Sequence, residues 1–208
     1  MSNVKVKICG ITNLEDAMAA VTAGCDAIGF VFYKKSPRYI SPEKAKSIIS
    51  NVPANILTIG VFVEAKEDTV KRIAKFCNLD MLQFHGDQKP SFCDKFKNYR
   101  IIKVFRVKNK IDPKEVSEYN VFACLFDTFD VARLGGTGKK FNWKLVRGLD
   151  CAKRTIFLSG GLNEKNVSKA IRALKPDWVD ASSSVEAKPG KKDHKKLKKF
   201  IQKVKRGR

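Results

Sequence analysis

Residues 4–12 read V-K-V-K-I-C-G-I-T, and the way this stretch begins and ends decides the first element of the fold. Val4, Val6 and Ile8 alternate with lysines, and side chains that alternate in this way point to opposite faces of a β-strand. The alternation stops at a thiol, Cys9, with a glycine directly behind it. The stretch therefore predicts a β-strand that ends on a cysteine.

Beyond this strand, short apolar runs alternate with stretches in which apolar residues recur at helical spacing. The strand-like runs are Ala27–Phe32, Leu57–Phe62, Met81–Phe84, Ile101–Phe105, Phe122–Phe126, Thr155–Leu158 and Trp178–Asp180. The helical spacing lies within residues 14–21, 45–52, 70–77, 167–174 and 197–204, with weaker helices predicted near 90–97, 113–118 and 142–146. Counted from the first strand, the chain has eight strand-then-helix units.

Eight such units without a linker between them predict the fold. Continuous apolar strands that alternate with one-sided helices form a parallel sheet covered by helices. We therefore expect an α/β protein in which residues 1–208 form a single (β/α)8 TIM barrel domain, although a typical barrel has about 250 residues. An open, doubly wound sheet is the alternative. In a barrel of this kind the chemistry lies at the carboxyl ends of the strands.

The composition indicates a soluble protein of the cytoplasm. Hydrophobic residues make up 43% of the chain and charged residues 30%, and no apolar run approaches the roughly 20 residues that cross a bilayer. The N-terminus lacks the apolar segment of a secretory signal. The six cysteines are scattered without a C-x-x-C pair, which favours free thiols in a reducing compartment. We expect Cys25 and Cys124 to be buried.

The net charge of +21 raises the hypothesis of a nucleic-acid partner. Much of that charge lies in residues 188–208, whose apolar residues have the spacing of a buried helical stripe: Leu197, Phe200, Ile201 and Val204. No zinc-ligand spacing and no RNA-recognition signature accompanies it. We interpret the lysines as the solvated face of an amphipathic helix and predict neither a nucleic-acid nor a membrane partner.

Six of the eight predicted strand ends carry residues that a buried core does not require. They are Cys9-Gly10, Ser36–Arg38, Gln83–Gly86, Asp127, Ser159–Gly161, and Asp180 with Ser182–Ser184. Because the carboxyl ends of parallel strands meet at one edge of a barrel, Cys9 and Asp127 are expected to share a site.

Taken in order, these motifs resemble the phosphoribosylanthranilate isomerase family. The resemblance rests on K-I-C-G-I-T-N (7–13), G-F-V-F (29–32), S-P-R-Y-I (36–40), G-V-F-V (60–63), Q-F-H-G (83–86), F-D-T (126–128), G-G-T-G-K-K-F-N-W (135–143), S-G-G-L (159–162) and V-E-A-K-P-G-K-K-D (185–193). It implies a (β/α)8 barrel that converts N-(5′-phosphoribosyl)anthranilate, a small molecule, to 1-(2-carboxyphenylamino)-1-deoxyribulose 5-phosphate. This Amadori rearrangement belongs to tryptophan biosynthesis, and the resemblance implies neither a metal nor an organic cofactor.

An Amadori rearrangement needs an acid that opens the furanose ring and a base that removes the C2′ proton from the resulting imine. The resemblance assigns the base to Cys9 and the acid to Asp127. A thiol with an ordinary pKa of about 8.5 must be partly ionised for this role, so we expect electropositive surroundings for Cys9. The alternatives are a buried strand terminus for Cys9 and a loop-capping carboxylate for Asp127.

The other strand ends are assigned to substrate binding. The resemblance places Arg38 on the anthranilate carboxylate, and a surface ion pair is the alternative. Asp180 is expected to contact a sugar hydroxyl or to support the acid and base, and a structural hydrogen bond fits equally well. The phosphate is expected at the loops after strands seven and eight, which carry Gly160, Gly161, Ser183 and Ser184. Two successive glycines can also be a plain turn.

Residues 180–186 read D-A-S-S-S-V-E, where the family usually has D-V-S-S-G-V-E. If the usual glycine serves a positive φ, Ser184 is strained. If that glycine serves a close approach to the phosphate, the Ser184 hydroxyl turns away or binds the anion. The row of three serines favours this second interpretation.

Competing functions are disfavoured by the same residues. The ribosyl-imidazole isomerase family of histidine synthesis has an aspartate where Cys9 stands, and a catalytically silent RNA-binding barrel would not need Cys9, Asp127 and Arg38. With only one other histidine in the chain, His194, no histidine pair or metal set is predicted, and His85 is placed at the edge of the site. The sequence leaves a monomer and a homodimer equally open.

Overall fold

The computed structural model describes residues 4–107, 111–128 and 154–206. Within these residues eight parallel strands close into a barrel in the order of the chain. They are β1 (Lys5–Cys9), β2 (Ala27–Val31), β3 (Leu57–Phe62), β4 (Met81–Phe84), β5 (Arg100–Val107), β6 (Ala123–Thr128), β7 (Thr155–Leu158) and β8 (Trp178–Ala181). The predicted (β/α)8 barrel is confirmed, and the open sheet is excluded.

Helices follow the strands and cover the barrel. They are α1 (Leu14–Thr22), α2 (Pro42–Ile49), α3 (Glu67–Cys77), α4 (Pro90–Cys93), α5 (Pro113–Ser117), α6 (Val167–Leu174) and α7 (His194–Lys205), with 3-10 turns at Asp94–Phe96 and Ser183–Val185. The predicted C-terminal stripe is buried against the rest of the protein. A short antiparallel hairpin, β9 (Glu186–Lys188) and β10 (Lys191–Lys192), precedes α7 and is not foreseen by the periodicity.

Among the described helices, side-chain caps begin α1, α2, α5 and α7. The Asn13 side chain accepts a hydrogen bond from the Asp16 N–H at 2.8 Å. Ser41 caps α2 with Pro42 at its first turn, where a missing N–H costs nothing. Asp193 caps α7 by accepting from two main-chain N–H groups. Each cap fixes the residue at which its helix begins, and so fixes the length of the loop between the strand and that helix.

Two apolar layers hold the barrel together. The larger lies between the strands and the helices and includes Phe30, Phe62 and Phe84. The smaller fills the interior: Ala27, Ile59, Met81, Ile102, Val104, Ala123, Leu125, Phe157 and Trp178. In it the Phe157 and Trp178 rings stack with centroids 4.8 Å apart. The interior of the barrel is therefore a packed core and not a channel.

Several predictions concern residues other than the strand ends. Cys25 and Cys124 are buried as predicted, and Cys25 is a free thiol. Among the described residues, no helix combines the length and apolarity that a membrane crossing requires. The motif G-G-T-G-K-K-F-N-W (135–143) and the predicted helix near 142–146 lie outside the described residues.

Candidate active site

The polar face of β1 turns into the barrel. Val6 and Ile8 are fully buried against the helices, whereas Cys9 clusters with Val31 of β2. Lys7, on the same face as Cys9, has a side chain without exposed surface. The alternation in β1 therefore separates two buried faces, one against the helices and one inside the barrel. Lys7, which the sequence did not mark as a site residue, becomes part of the candidate site.

Lys7 forms an ion pair with Asp180 on the adjacent strand, β8. Its Nζ lies 2.9 Å from Asp180 Oδ1, and only 6% of the Asp180 side chain is exposed. Burial opposes the charged form of Lys7, but the Asp180 carboxylate and Cys9 outweigh it, so the pKa of Lys7 is raised above its ordinary value. Lys7 is therefore an ammonium group inside the barrel at neutral pH.

The Cys9 thiol lies at the end of β1 and is 7% exposed. Burial raises the pKa of Cys9 because the thiolate loses its hydration, and the charge of Asp180 adds to that rise. Lys7 and Lys192 act in the opposite direction without outweighing burial. The expected electropositive surroundings consist of these two ammonium groups, and the thiolate remains the minor form at neutral pH.

Two glycines make room for this cluster. A Cβ on Gly29 of β2 would lie 3.0 Å from Cys9 Sγ and 3.2 Å from Lys7 Cε. Gly10 has a φ of 75°, and a Cβ there would lie 2.7 Å from Arg38 Cδ. Both the backbone conformation and the close contact require glycine at position 10. The glycine behind the thiol thus brings the arginine to the end of β1.

Arg38, from the loop after β2, binds a protein carboxylate. Its Nε and Nη2 donate to Glu186 Oε1 and Oε2 at 2.8 and 2.7 Å, a bidentate arrangement. The Arg38 side chain is 14% exposed and that of Glu186 is 4% exposed. Arg38 Nη1 donates no hydrogen bond to the residues that the structure describes. One edge of the guanidinium is therefore committed to the protein.

The hairpin β9–β10, here called the strap (residues 186–192), connects this arginine to β1. Lys192 Nζ, whose side chain is fully buried, donates to Glu186 Oε1 at 2.9 Å and to the main-chain oxygen of Cys9 at 2.6 Å. The Lys192 N–H donates to Asp16 Oδ2 at 2.8 Å, which fastens the strap to α1. Glu186 and Lys192 are site residues that the sequence analysis missed.

Asp127 lies at the end of β6, three strands round the barrel from β1 and at the same edge as Cys9. Its side chain is 24% exposed, and Oδ2 lies 3.6 Å from His85 Nε2. Burial and nearby cations lower the pKa of His85 to about 4. His85 is therefore neutral at neutral pH, and it places no positive charge beside the Asp127 carboxyl group.

The loops after β7 and β8 are neighbours because the two strands pair. Gly160 and Gly161 have positive φ values, 86° and 65°, and a Cβ on Gly161 would meet no atom within 4 Å. Ser183 and Ser184 lie in the 3-10 turn Ser183–Val185. Ser184 is not among the described residues with a positive φ, so the strained alternative for this serine is wrong.

The chemistry that these groups offer is proton transfer. In the parts of the chain that the structure describes, no group of three or more His, Cys, Asp or Glu side chains is placed to hold a metal ion. A thiol and a carboxyl group face one edge of the barrel, and buried cations surround the thiol. Such a site can remove a proton from one atom of a substrate and deliver a proton to another.

Comparisons with known proteins point in one direction. The sequence model of the family described as N-(5'phosphoribosyl)anthranilate (PRA) isomerase matches residues 6–203. The N-(5'-phosphoribosyl)anthranilate isomerase of Pelobacter propionicus is 48% identical over 198 residues, which cover 95% of this chain and 94% of that protein.

Solved structures give the same result. The crystal structure of phosphoribosyl anthranilate isomerase from Thermotoga maritima is similar with a TM-score of 0.92 at 44% identity, covering 97% of this chain and 98% of that one. A second crystal structure of such an isomerase holds reduced 1-(o-carboxyphenylamino)-1-deoxyribulose 5-phosphate. It has a TM-score of 0.88 at 42% identity and covers the same shares, 97% and 98%.

Proposed function

The chain belongs to the N-(5′-phosphoribosyl)anthranilate isomerase family and catalyses that isomerisation, and we propose that Cys9 is its general base and Asp127 its general acid. The observation that carries the assignment is the placement of one thiol and one carboxyl group at the same edge of a closed barrel. An Amadori rearrangement of an aminoaldose requires one proton donor and one proton acceptor. The reaction lies in tryptophan biosynthesis.

The two groups act in sequence. Protonated Asp127 donates to the ring oxygen of the ribose, the C1′–O bond breaks, and the nitrogen lone pair forms the C1′=N bond of an iminium. The Cys9 thiolate then takes the C2′ proton, and the electrons of that C–H bond form an enolamine. Loss of the enol proton and protonation of C1′ give the ketone. Protons and electrons balance without an oxidant or reductant.

The surroundings of each group suit its role. Because burial raises the pKa of Cys9, its thiolate is a stronger base than an exposed one, although it is less populated at neutral pH. His85 is neutral beside Asp127, so no histidine charge favours the carboxylate over the protonated acid that ring opening requires.

The anionic ends of the substrate have matching positions. Glu186 holds two nitrogens of Arg38, and Nη1 remains for the anthranilate carboxylate. Asp180 is committed to Lys7 through Oδ1, so a contact with a sugar hydroxyl would use Oδ2. The phosphate takes the loops after β7 and β8, where main-chain N–H groups and hydroxyls are available on Gly160, Gly161, Ser183 and Ser184.

The assignment is tested by Asp127→Asn, with Asp94→Asn, an exposed aspartate of the 3-10 turn after α4, as the matched control. Consumption of phosphoribosylanthranilate is followed by its fluorescence. The amide cannot donate the proton of ring opening, so kcat should fall by at least about a hundredfold in Asp127→Asn and stay unchanged in the control. A fully active Asp127→Asn protein would place the acid on another residue.

The remaining properties are part of the same proposal. Residues 1–208 form one barrel domain that acts in the cytoplasm as a monomer or a homodimer, and sedimentation at assay concentration decides between the two. Acid–base chemistry of this kind calls for neither a metal nor an organic cofactor, and full activity after dialysis against a chelator is the expected result. A loss that added metal restores would contradict it.

A further inference from the structure

Lys7 and Asp180 are buried, charged and beside Cys9, yet the proton transfers described above use neither of them. Removing an ammonium group and a carboxylate from water is unfavourable, and a buried ion pair of this kind seldom adds net stability to a fold. The two residues are 173 positions apart in the sequence, and they meet because β1 pairs with β8. The position of the pair next to the thiol suggests a role in the chemistry.

The geometry places the Lys7 side chain alongside the Cys9 side chain. The two residues lie on the same face of β1, and both approach Gly29, where a Cβ would meet Cys9 Sγ at 3.0 Å and Lys7 Cε at 3.2 Å. The positive charge of Lys7 opposes the effect of burial on the pKa of Cys9. Without Gly29, the two side chains could not share this space.

Other charged groups also face Cys9. Lys192 approaches from β10, but its ammonium group donates to a main-chain oxygen of Cys9 and to Glu186, which Arg38 also binds. Asp180 approaches from β8 and opposes ionisation of the thiol. Lys7 opposes burial more strongly than any other charged group around Cys9.

We propose that Lys7, kept charged by Asp180, is a positioning residue that stabilises the thiolate of Cys9 and so populates the form of Cys9 that removes the C2′ proton. The proposal rests on the role of Cys9 as the base. The negative charge of Asp180 keeps the Lys7 ammonium group protonated within the barrel. The positive charge of Lys7 in turn stabilises the negative charge of the buried Cys9 thiolate. Neither residue needs to touch the substrate for this effect.

The test measures the thiol directly and the reaction separately. Folded Lys7→Met protein is treated with iodoacetamide over a range of pH, and mass spectrometry reports alkylation of the Cys9 peptide, since the thiolate is the reacting form. Lys5→Met is the matched control, because it removes the same charge from an exposed position on the same strand. Burial raises the pKa of Cys25 to about 12 and that of Cys93 to about 11, so these thiols should react little.

We expect the midpoint of Cys9 alkylation in Lys7→Met to move upwards by about one to two pH units, the size expected of one charge a few ångströms away. The pH profile of kcat/KM should move by the same amount, so that activity lost at pH 7 is partly recovered at higher pH. Lys5→Met should change neither profile. An unchanged alkylation midpoint in folded Lys7→Met protein would overturn the proposal.

In Lys7→Met the charge of Lys7 is lost and the Asp180 carboxylate also loses its partner. A second variant separates these two effects. Lys7→Met combined with Asp180→Asn replaces the ion pair with a neutral pair, and the Cys9 midpoint should still lie above that of the wild type. A wild-type midpoint in the double variant would show that unpaired Asp180 causes the shift, and the proposal would fail. If alkylation shifts while the profile of kcat/KM does not, Lys7 tunes the thiol but Cys9 is not the base.

Discussion

Two lysines at the carboxyl edge of the barrel have fully buried side chains and ion pairs of the same length, yet their pKa values move in opposite directions. Lys7 lies 2.9 Å from Asp180, and Lys192 lies 2.9 Å from Glu186. Burial opposes the charged form of both. The pKa of Lys7 is nevertheless raised, whereas that of Lys192 is lowered. The distance to the carboxylate therefore does not decide the outcome.

The two regions differ in how many cations share each carboxylate. Asp180 pairs with Lys7, and its charge raises the pKa of that lysine. Glu186 is divided between Lys192 and Arg38, and the charge of Arg38 acts against that of Lys192. With all side chains ionised, the pair in β1 and β8 is neutral, and the strap cluster carries a surplus positive charge. The neutral pair lies beside Cys9, the group proposed to move a proton. The surplus positive charge of the strap cluster suits it to holding an anion.

The comparison is tested most strongly by Cys9→Ser. The hydroxyl fills similar space but is a far weaker base, so kcat should fall by well over tenfold, more than ~1.4 kcal/mol of transition-state stabilisation, while substrate binding is largely kept. Steady-state kinetics with phosphoribosylanthranilate measure kcat and KM. Cys25→Ser, a change at a buried thiol on the loop before β2, is the control and should leave kcat unchanged. Retention of more than about a tenth of kcat would remove Cys9 from the role of base.

Glu186→Gln should have the largest effect on stability, because it leaves the buried Lys192 and the partly buried Arg38 without their carboxylate. Breaking a buried pair of this kind costs about 3–5 kcal/mol of unfolding free energy. Urea unfolding followed by circular dichroism gives the value. Glu67→Gln is a matched control, because Glu67 also binds two lysines but at the surface, where solvent screens the charges. Equal effects of the two substitutions would contradict the contrast between buried and exposed charge clusters.

The pH dependence of stability should identify Glu186 as well. Its hydrogen bonds and ion pairs with Arg38 and Lys192 outweigh burial and lower its pKa below the ordinary 4.5. A carboxylate with a lowered pKa in the folded state stabilises the fold above its unfolded pKa, and this stability is lost as the pH falls through the folded pKa. Between about pH 6 and pH 3, the unfolding free energy of the wild type should therefore fall more steeply than that of Glu186→Gln. If the unfolding free energies of the two proteins fall in parallel with pH, other carboxylates cause the loss of stability in acid.

The sequence predicts the barrel and its strand ends because local periodicity is enough to place each strand and helix. It predicts that Cys9, Asp127 and Arg38 share an edge because closure of the barrel follows from the number of units. It does not predict the orientation of Lys7, since alternation looks the same whether the polar face meets water or an interior carboxylate. Asp180 lies 173 positions from Lys7, so their contact follows only from the pairing of β1 with β8.

The strap is the second feature that periodicity misses. Its strands are three and two residues long, too short for an alternating pattern, and they lie in a lysine-rich stretch that suggests solvent exposure. The Pro189-Gly190 dipeptide is the available signal, since such dipeptides mark turns, and Gly190 has a φ of 78°. Burial of Glu186 and Lys192 depends on Arg38 and Cys9 from distant loops, which no local signal reports.

The smallest expected effect belongs to Ser184, which lies in the 3-10 turn between β8 and the strap and therefore joins the two regions. Ser184 does not adopt a positive φ, so replacing it with glycine relieves no backbone strain, and the added freedom of glycine acts mainly on the unfolded chain. Ser184→Gly should leave kcat nearly unchanged and shift KM by less than about fivefold, or ~1 kcal/mol, measured by steady-state kinetics. Ser183→Gly in the same turn is the matched comparison. A tenfold gain in substrate affinity for Ser184→Gly alone would show that the serine side chain obstructs the phosphate. The turn that joins β8 to the strap would then limit substrate binding.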